Sequence, residues 1–359
     1  MSKFFILDIG AGTMDILYYD SSSGLHYKAV MKSPVPHLAD KLDALDGDIL
    51  ITGTEMGGGR LSEVLKRKAR QVEVVISQSA AATIHHDISK VRSLGISVVE
   101  DPEADILIKN SKYEHVTIGD LEPERLETIV RSMAVPYSFD VIAVCAQDHG
   151  IPPAGLSHLD YRHNLFRQQL DISPFPHTML YRSDEVPATF NRLSSIAREA
   201  SSLPADEIYL MDSGMAAILG ATMDPAARSK TSLLVTDIAT SHTVGAAMKG
   251  EEIAGFFEYH THDITLDRLE SLLGQLADGT LEHSRLLKEG GHGAYVRKAL
   301  GFSSVEAIIA TGPKRKLVEN SRLPFVMGAP LGDNMMTGTV GLLEAIRRRG
   351  KDFKPISYF

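Results

Sequence analysis

Two segments of this chain are built to one plan: FFILDIGAGTMDILYYD, starting at Phe4, and SLLVTDIATSHTVGAAM, starting at Ser232. Each has an apolar run, an aspartate, a short loop of Gly, Ala, Thr or Ser, and a second apolar run. Such a segment reads as strand, tight turn, strand. In the first copy Gly10 and Gly12 carry no Cβ, so the backbone can take φ > 0 and approach a ligand closely. The amide N–H groups of such a turn make a concave anion site. Thr13 adds a hydroxyl, and Asp8 and Asp15 flank the loop. A carboxylate beside a phosphate cradle is repulsive unless a divalent cation sits between them, typically through water. Two such hairpins predict a duplicated unit that grips a polyphosphate from both sides.

At 359 residues the chain is long enough for two domains with well-buried cores. A hydrophobic fraction of 43% with 23% charged residues describes an ordinary soluble globular protein. The net charge of −9 offers no general attraction for nucleic acid or anionic membrane. No apolar run approaches the ~20 residues that span a bilayer. The first strand begins by Phe4, which leaves no room for a signal peptide, so a cytoplasmic location is expected.

The hairpin loops resemble the phosphate loops of the sugar kinase, actin and heat-shock chaperone superfamily (ASKHA). Its members are two duplicated domains that close on Mg-ATP. The run Asp8-Ile9-Gly10-Ala11-Gly12-Thr13-Met14-Asp15 fits the first loop throughout. The run Asp237-Ile238-Ala239-Thr240-Ser241-His242-Thr243 fits the second, with Ala239 where glycine is usual and Thr243 where an acidic residue often closes the loop. The resemblance implies ATP and Mg²⁺ as cofactors, with Asp8 and Asp237 orienting the metal. Gly10, Ala11, Gly12, Thr13, Asp15, Asp237, Thr240, Ser241 and Thr243 would then hold the phosphates. It also implies an α/β, duplicated actin-like ATPase (ribonuclease H-like) fold. A first domain is expected over 1–205 plus a C-terminal helix at 332–350, and a second over 206–331.

The stretch AIIATGPKRKLVENS resembles the superfamily's adenosine motif, with Gly312 as the close-approach residue and Pro313 replacing the customary second glycine. Lys314, Arg315 and Lys316 either touch the nucleotide or open a solvated helix. Helices rich in small residues are expected at Met215–Ala221, after Asp212 or Ser213 as cap, and near the C-terminus around Gly338 and Gly341. In the superfamily two such helices cross at the domain hinge. Between the first hairpin and these helices, strands are expected at Leu25–Met31, within GDILITG, and at Val72–Ile76, Ile96–Val99 and Asp140–Cys145. Helices are expected from about Arg60, around Ala80–Leu94 and over Pro123–Met133, and residues 151–187 as a surface excursion.

After the strand ending at Cys145 come Gln147, Asp148, His149 and Gly150, at the carboxyl end where open α/β sheets bind ligands. This turn resembles one in the FGGY carbohydrate kinases, and Asp160 and Arg162 resemble their "D-x-R" helix start. The resemblance implies Gln147, His149, Asp160 and Arg162 as substrate residues, with Asp148 or Asp212 as catalytic carboxylate beside Asp8.

His260 and His262 lie two apart, so on a strand they share a face, and His242 is near in sequence. That spacing suits a metal ion, but a zinc site needs further ligands at a definite geometry. Exposed or hydrogen-bonded histidines are therefore the expectation. His85 and His86 diverge on a strand, and EGGHGAY around His292 reads as a flexible turn.

As a whole the chain is similar to a prokaryotic family whose members are sometimes labelled pyruvate formate-lyase activating enzymes. An activase of the radical-SAM kind holds its iron–sulfur cluster on three cysteine thiolates, and Cys145 is the only cysteine. The expected function is a Mg-ATP-binding phosphotransferase or ATPase whose acceptor the sequence does not name. The alternative is a nucleotide-driven switch or ATP-dependent activator of a partner enzyme.

Overall fold

The computed structural model describes residues 2–153, 155–350 and 355–358. The chain opens with an antiparallel meander of β1 (Lys3–Ile9), β2 (Thr13–Asp20) and β3 (His26–Lys32). Next come β4 (Asp48–Gly53), β5 (Val74–Ser77), β6 (Ser97–Val99) and β7 (Tyr113–Ile118), which pair in parallel in the order β6-β5-β4-β7. With β8 (Phe139–Ala146), β9 (Leu180–Arg182) and β10 (Ala205–Asp212) the chain returns to the first sheet. That sheet is ordered β3-β2-β1-β8-β10-β9. The remaining strands are β11 (Ser232–Ile238), β12 (His242–Lys249), β13 (Glu252–His260), β14 (Gly291–Val296), β15 (Ala307–Thr311) and β16 (Phe325–Met327). They form a sheet ordered β14-β13-β12-β11-β15-β16.

Without the edge strands β9 and β14, the two six-stranded sheets have one topology. Three antiparallel strands are followed by two that run parallel to the first. This is the duplicated actin-like ATPase fold that the hairpins imply. The lead strands explain themselves physically. Phe4-Phe5-Ile6-Leu7 is apolar without alternation because β1 is central and covered on both faces, and all four side chains are fully buried. The four-stranded sheet is an insertion between β3 and β8 with its own core, which includes Val35, Leu61 and Ile76.

Local chemistry explains where the expected elements shift. The helix expected over 80–94 is two short ones, Gln78–Ala81 and Ile88–Arg92. Asp87 starts the second afresh by accepting the Ser89 N–H at 3.0 Å. The expected surface excursion contains a 15-residue helix, His158–Ile172, whose Arg162, His163, Phe166 and Leu170 are buried. That correction bears on the site, because it draws Arg162 inside.

The helices Ser213–Ala221 and Thr337–Arg349 cross with backbone against backbone. A Cβ on Gly220 would stand 1.8 Å from the Thr337 carbonyl oxygen, and one on Gly341 would stand 1.8 Å from that of Ala216. Gly338, one turn earlier, lies against Asp8, where a Cβ would come 1.9 Å from Oδ2. Gly341→Ala should therefore lower the thermal midpoint, with overpacking costing at least ~1–3 kcal/mol. Gly274 sits in the helix Leu266–Ala277 with open space where its Cβ would be. Gly274→Ala should raise the midpoint, by about 1 kcal/mol of helix propensity. Circular dichroism melts of the two variants check both signs.

Candidate functional site

The two hairpins have loops of equal length. In the first, Asp8 pairs with Asp15 across the strands and the Gly10 N–H bonds the Thr13 carbonyl at 2.9 Å. In the second, Asp237 pairs with Val244 and the Ala239 N–H bonds the His242 carbonyl at 3.1 Å. The loops face and touch each other: a Cβ on Gly12 would lie 3.2 Å from Cγ2 of Thr240. Around them opens a cleft of about 520 Å³, in the size range of small-molecule sites.

Most of the loop residues singled out in the sequence line this cleft: Asp8, Gly10, Ala11, Thr13, Asp15, Asp237, Thr240 and Ser241. Thr243 does not. The register aligns it with Met14, a core position, and its hydroxyl bonds that of Thr261 at 3.0 Å. Val244 takes the place of Asp15, and His242 that of Thr13. The second loop therefore brings one carboxylate where the first brings two.

Gly312 also lines the cleft, at φ +88°, backed against the Ile238 carbonyl, which leaves no space for a side chain. Pro313, Asn334 and Met335 extend this end, and Asn334 Nδ2 donates to the Gly312 carbonyl at 3.0 Å. Arg315 turns away from the cleft and donates to the Gly328 carbonyl.

The acidic groups are held in an electrostatically unfavourable place. Burial, opposed by a hydrogen bond from the Cys145 thiol and reinforced by Asp237 and Asp212, pushes the Asp8 carboxyl up to about 7. Burial and the charges of Asp8, Asp237 and Asp333 push Asp15 up to about 8, and its Oδ1 has no hydrogen-bond partner among the described residues. Burial raises Asp237 to about 6, even though the Thr311 hydroxyl donates to its Oδ1 at 2.8 Å. Clustered carboxylates that repel one another fit a hard divalent cation such as Mg²⁺, which takes oxygen ligands and keeps its waters.

The carboxylates proposed for acid–base work are committed elsewhere. Asp212 caps the helix Ser213–Ala221 by accepting the Gly214 N–H at 2.9 Å, while its Oδ2 takes Arg162 Nη1 at 2.6 Å. Asp148 faces the cleft, but its two oxygens accept the backbone N–H groups of Gly150 and Leu193 at 2.8 and 2.9 Å. Arg162, expected at the substrate, is 3% exposed and ties parts of the two large sheets together. It donates to Asp212 on β10, to the Asp148 carbonyl at 2.5 Å, and to both Glu258 oxygens on β13 at 2.8 and 3.2 Å. Burial alone would raise Glu258; Arg162 outweighs it and holds the carboxyl at about 2. Asp160 lies in the first turn of its helix, where its N–H donates to the capping Ser157 hydroxyl at 3.1 Å, and its carboxylate meets His283 at 3.3 Å. Asp160 and Arg162 are thus structural rather than cleft residues.

Gln147 and His149 do line the cleft, beside a polar group that the sequence reading missed. Glu55 accepts His86 Nε2 at 2.9 Å and also takes the Asn191 amide on the same oxygen. Arg192 clamps Asp120 with bonds of 2.7 and 2.8 Å and reaches the Gln147 carbonyl at 2.9 Å. A Gly-rich turn after a strand is visible in Thr54–Arg60. The partners of Glu55 lie 31 and 136 residues further along the chain, beyond the reach of local spacing.

The raised carboxyl groups predict a pH effect. The folded state binds more protons than the unfolded chain, whose carboxyls titrate near 3.8, so stability falls as pH rises through the folded values. Desolvation lowers His149, His242 and His292 to about 3, 4 and 4, so their opposing effect ends near 6.5. Between about pH 6.5 and 8 the melting temperature of the metal-free protein should fall. Asp15→Asn should flatten that slope, as thermal melts across the range would show.

Solved structures similar to the chain include the inorganic polyphosphate/ATP-glucomannokinase from Arthrobacter sp. strain KM (11% identity, 97% of this chain and 100% of that one, TM-score 0.37). Another is a ROK family glucokinase from Streptomyces griseus in complex with glucose and AMPPNP (11%, 97% and 100%, 0.35). A third is a PilM–PilN type IV pilus biogenesis complex (11%, 95% and 97%, 0.36). No curated protein matches the sequence. A family match does span residues 56–317, most of the chain, and by it the chain belongs to the family described as "Putative pyruvate format-lyase activating enzyme (DUF1786)".

Proposed function

We propose that the protein binds Mg-ATP between its two hairpins and transfers the γ-phosphate to a small polar acceptor, or to water. The observation that carries this reading is the pair of matched loops in contact, with Asp8, Asp15 and Asp237 gathered between them and their carboxyl groups all raised. Asp8, Asp15 and Asp237 would hold Mg²⁺, largely through its waters, and the ion would neutralise phosphate charge. Backbone amides of the turn residues Ala11, Gly12, Thr240 and Ser241 would cradle the phosphates. Gly312, Pro313, Asn334 and Met335 would meet the nucleoside.

Glu55, His86 and Asn191 supply a hydrogen-bonding end to the same cleft, which favours an acceptor over simple hydrolysis. With Asp148 and Asp212 held by backbone amides and Arg162, Glu55 is the carboxylate best placed to orient an acceptor hydroxyl. Its Oε2 has no hydrogen-bond partner among the described residues. Phosphoryl transfer asks mainly for positioning and charge neutralisation, which this arrangement supplies. The radical chemistry implied by the family's label does not fit: a single buried cysteine cannot supply the thiolates of an iron–sulfur cluster.

Calorimetry with ATP should show binding that strengthens with Mg²⁺, and Asp8→Asn should remove that strengthening. Absence of binding heat from the wild-type protein would end the nucleotide reading. ADP release should rise when the right metabolite from a panel is added. Glu55→Gln should then lower kcat while leaving ATP affinity unchanged. Release stimulated only by a partner protein would support the switch instead.

A further inference from the structure

His242 on β12 pairs directly with His260 on β13. On the other side of β13 the register shifts: Glu258 faces Gly293, and Tyr259 faces Gly291. His292 is therefore the extra residue of a bulge in the edge strand β14, with Gly293 at φ +148° taking the distorted backbone. Bulges at sheet edges re-aim side chains. Here the bulge brings the His292 ring centroid to 4.0 Å from that of His260 and 4.7 Å from that of His242. One ring nitrogen from each of the three lies within 4.8 Å of the others.

These rings carry unmet bonding capacity. Nε2 of His242, Nδ1 of His260 and Nδ1 of His292 are buried and have no hydrogen-bond partner among the described residues. Native proteins seldom leave buried polar atoms unpaired without a reason. Three such atoms from neighbouring rings share one explanation.

We propose that His242, His260 and His292 form a binding site for a divalent first-row transition metal, zinc in the first instance. An all-imidazole donor set suits zinc, nickel or copper. Magnesium and calcium take oxygen ligands, so the site is chemically distinct from the carboxylates of the phosphate loops. Three histidines leave a coordination position for water or substrate, as in zinc enzymes. His242 also lines the cleft, with His149 across from it at a ring separation of 6.3 Å. The metal would thus border the cleft from the side of the second large sheet and tie the second loop to β13 and β14. His262, paired with His260 in the sequence reading, lies beyond the end of β13. It is mostly exposed and ion-paired with Asp263 at 3.2 Å.

The test needs no nucleotide and uses the full chain, free of any histidine tag and stripped by chelator. Titration with zinc chloride should show one ion per chain, unaffected by excess Mg²⁺. X-ray absorption of the zinc-loaded wild type should show three imidazole nitrogens at ~2.0–2.1 Å. His260→Gln and His292→Gln should each weaken binding by more than the ~10–100-fold that loss of an outer-shell partner costs. His26→Ala, on the exposed strand β3, should bind as the wild type does. No zinc binding by the wild type, fewer than three imidazoles at the metal, or unchanged affinity in both glutamine variants would overturn the proposal. The absorption measurement decides the matter even where a variant fails to fold.

Discussion

The close crossing of two glycine-bearing helices is the constraint on which the rest of the molecule depends. Gly220 and Gly341 bring the backbones of Ser213–Ala221 and Thr337–Arg349 to a distance that any Cβ would forbid. Each helix belongs to the connection of one repeat and packs against elements of the other, so the crossing sets the spacing of the two large sheets. It also sets the cleft: Gly338 on the same helix lies directly on Asp8, leaving room for the carboxylate and nothing larger.

Charge is distributed around that crossing in two contrasting ways. Asp8, Asp15 and Asp237 are drawn together at the loops, and their proton affinities are all raised. Arg162, by contrast, is buried with three acceptors, Asp212, Glu258 and the Asp148 carbonyl. Breaking a buried pair of this sort costs several kcal/mol, so Arg162 reads as a strut across the sheets rather than a substrate ligand. The loop carboxylates thus have raised proton affinities, whereas those around Arg162 hold the frame.

Much of the fold was legible because its signals are local. The apolar–Asp–loop–apolar plan of the hairpins, the small residues of the crossing helices and the turn at Gly312 each need only a few consecutive residues to be read. What failed to carry over was position within a pattern. Thr243 looked like the residue that closes the second loop, but strand register aligns it with Met14 and points it at the core. Arg162 looked like the start of a substrate helix, but the helix packs inward and buries it. His292 looked like part of a turn because a bulge breaks the alternation that would reveal a strand.

The sequence by itself determined the duplicated architecture and the first phosphate-loop-like hairpin, because turn chemistry and side-chain periodicity are properties of adjacent residues. It also excluded a cysteine-held cluster by composition alone. Only the tertiary structure decided which polar residues meet. Glu55, His86 and Asn191 join from separate elements, and His242, His260 and His292 from three strands whose register no local spacing encodes. The physical reason is the same in both cases: a site's geometry is set by packing between distant elements, and a shift of one residue in register sends a side chain to the opposite face.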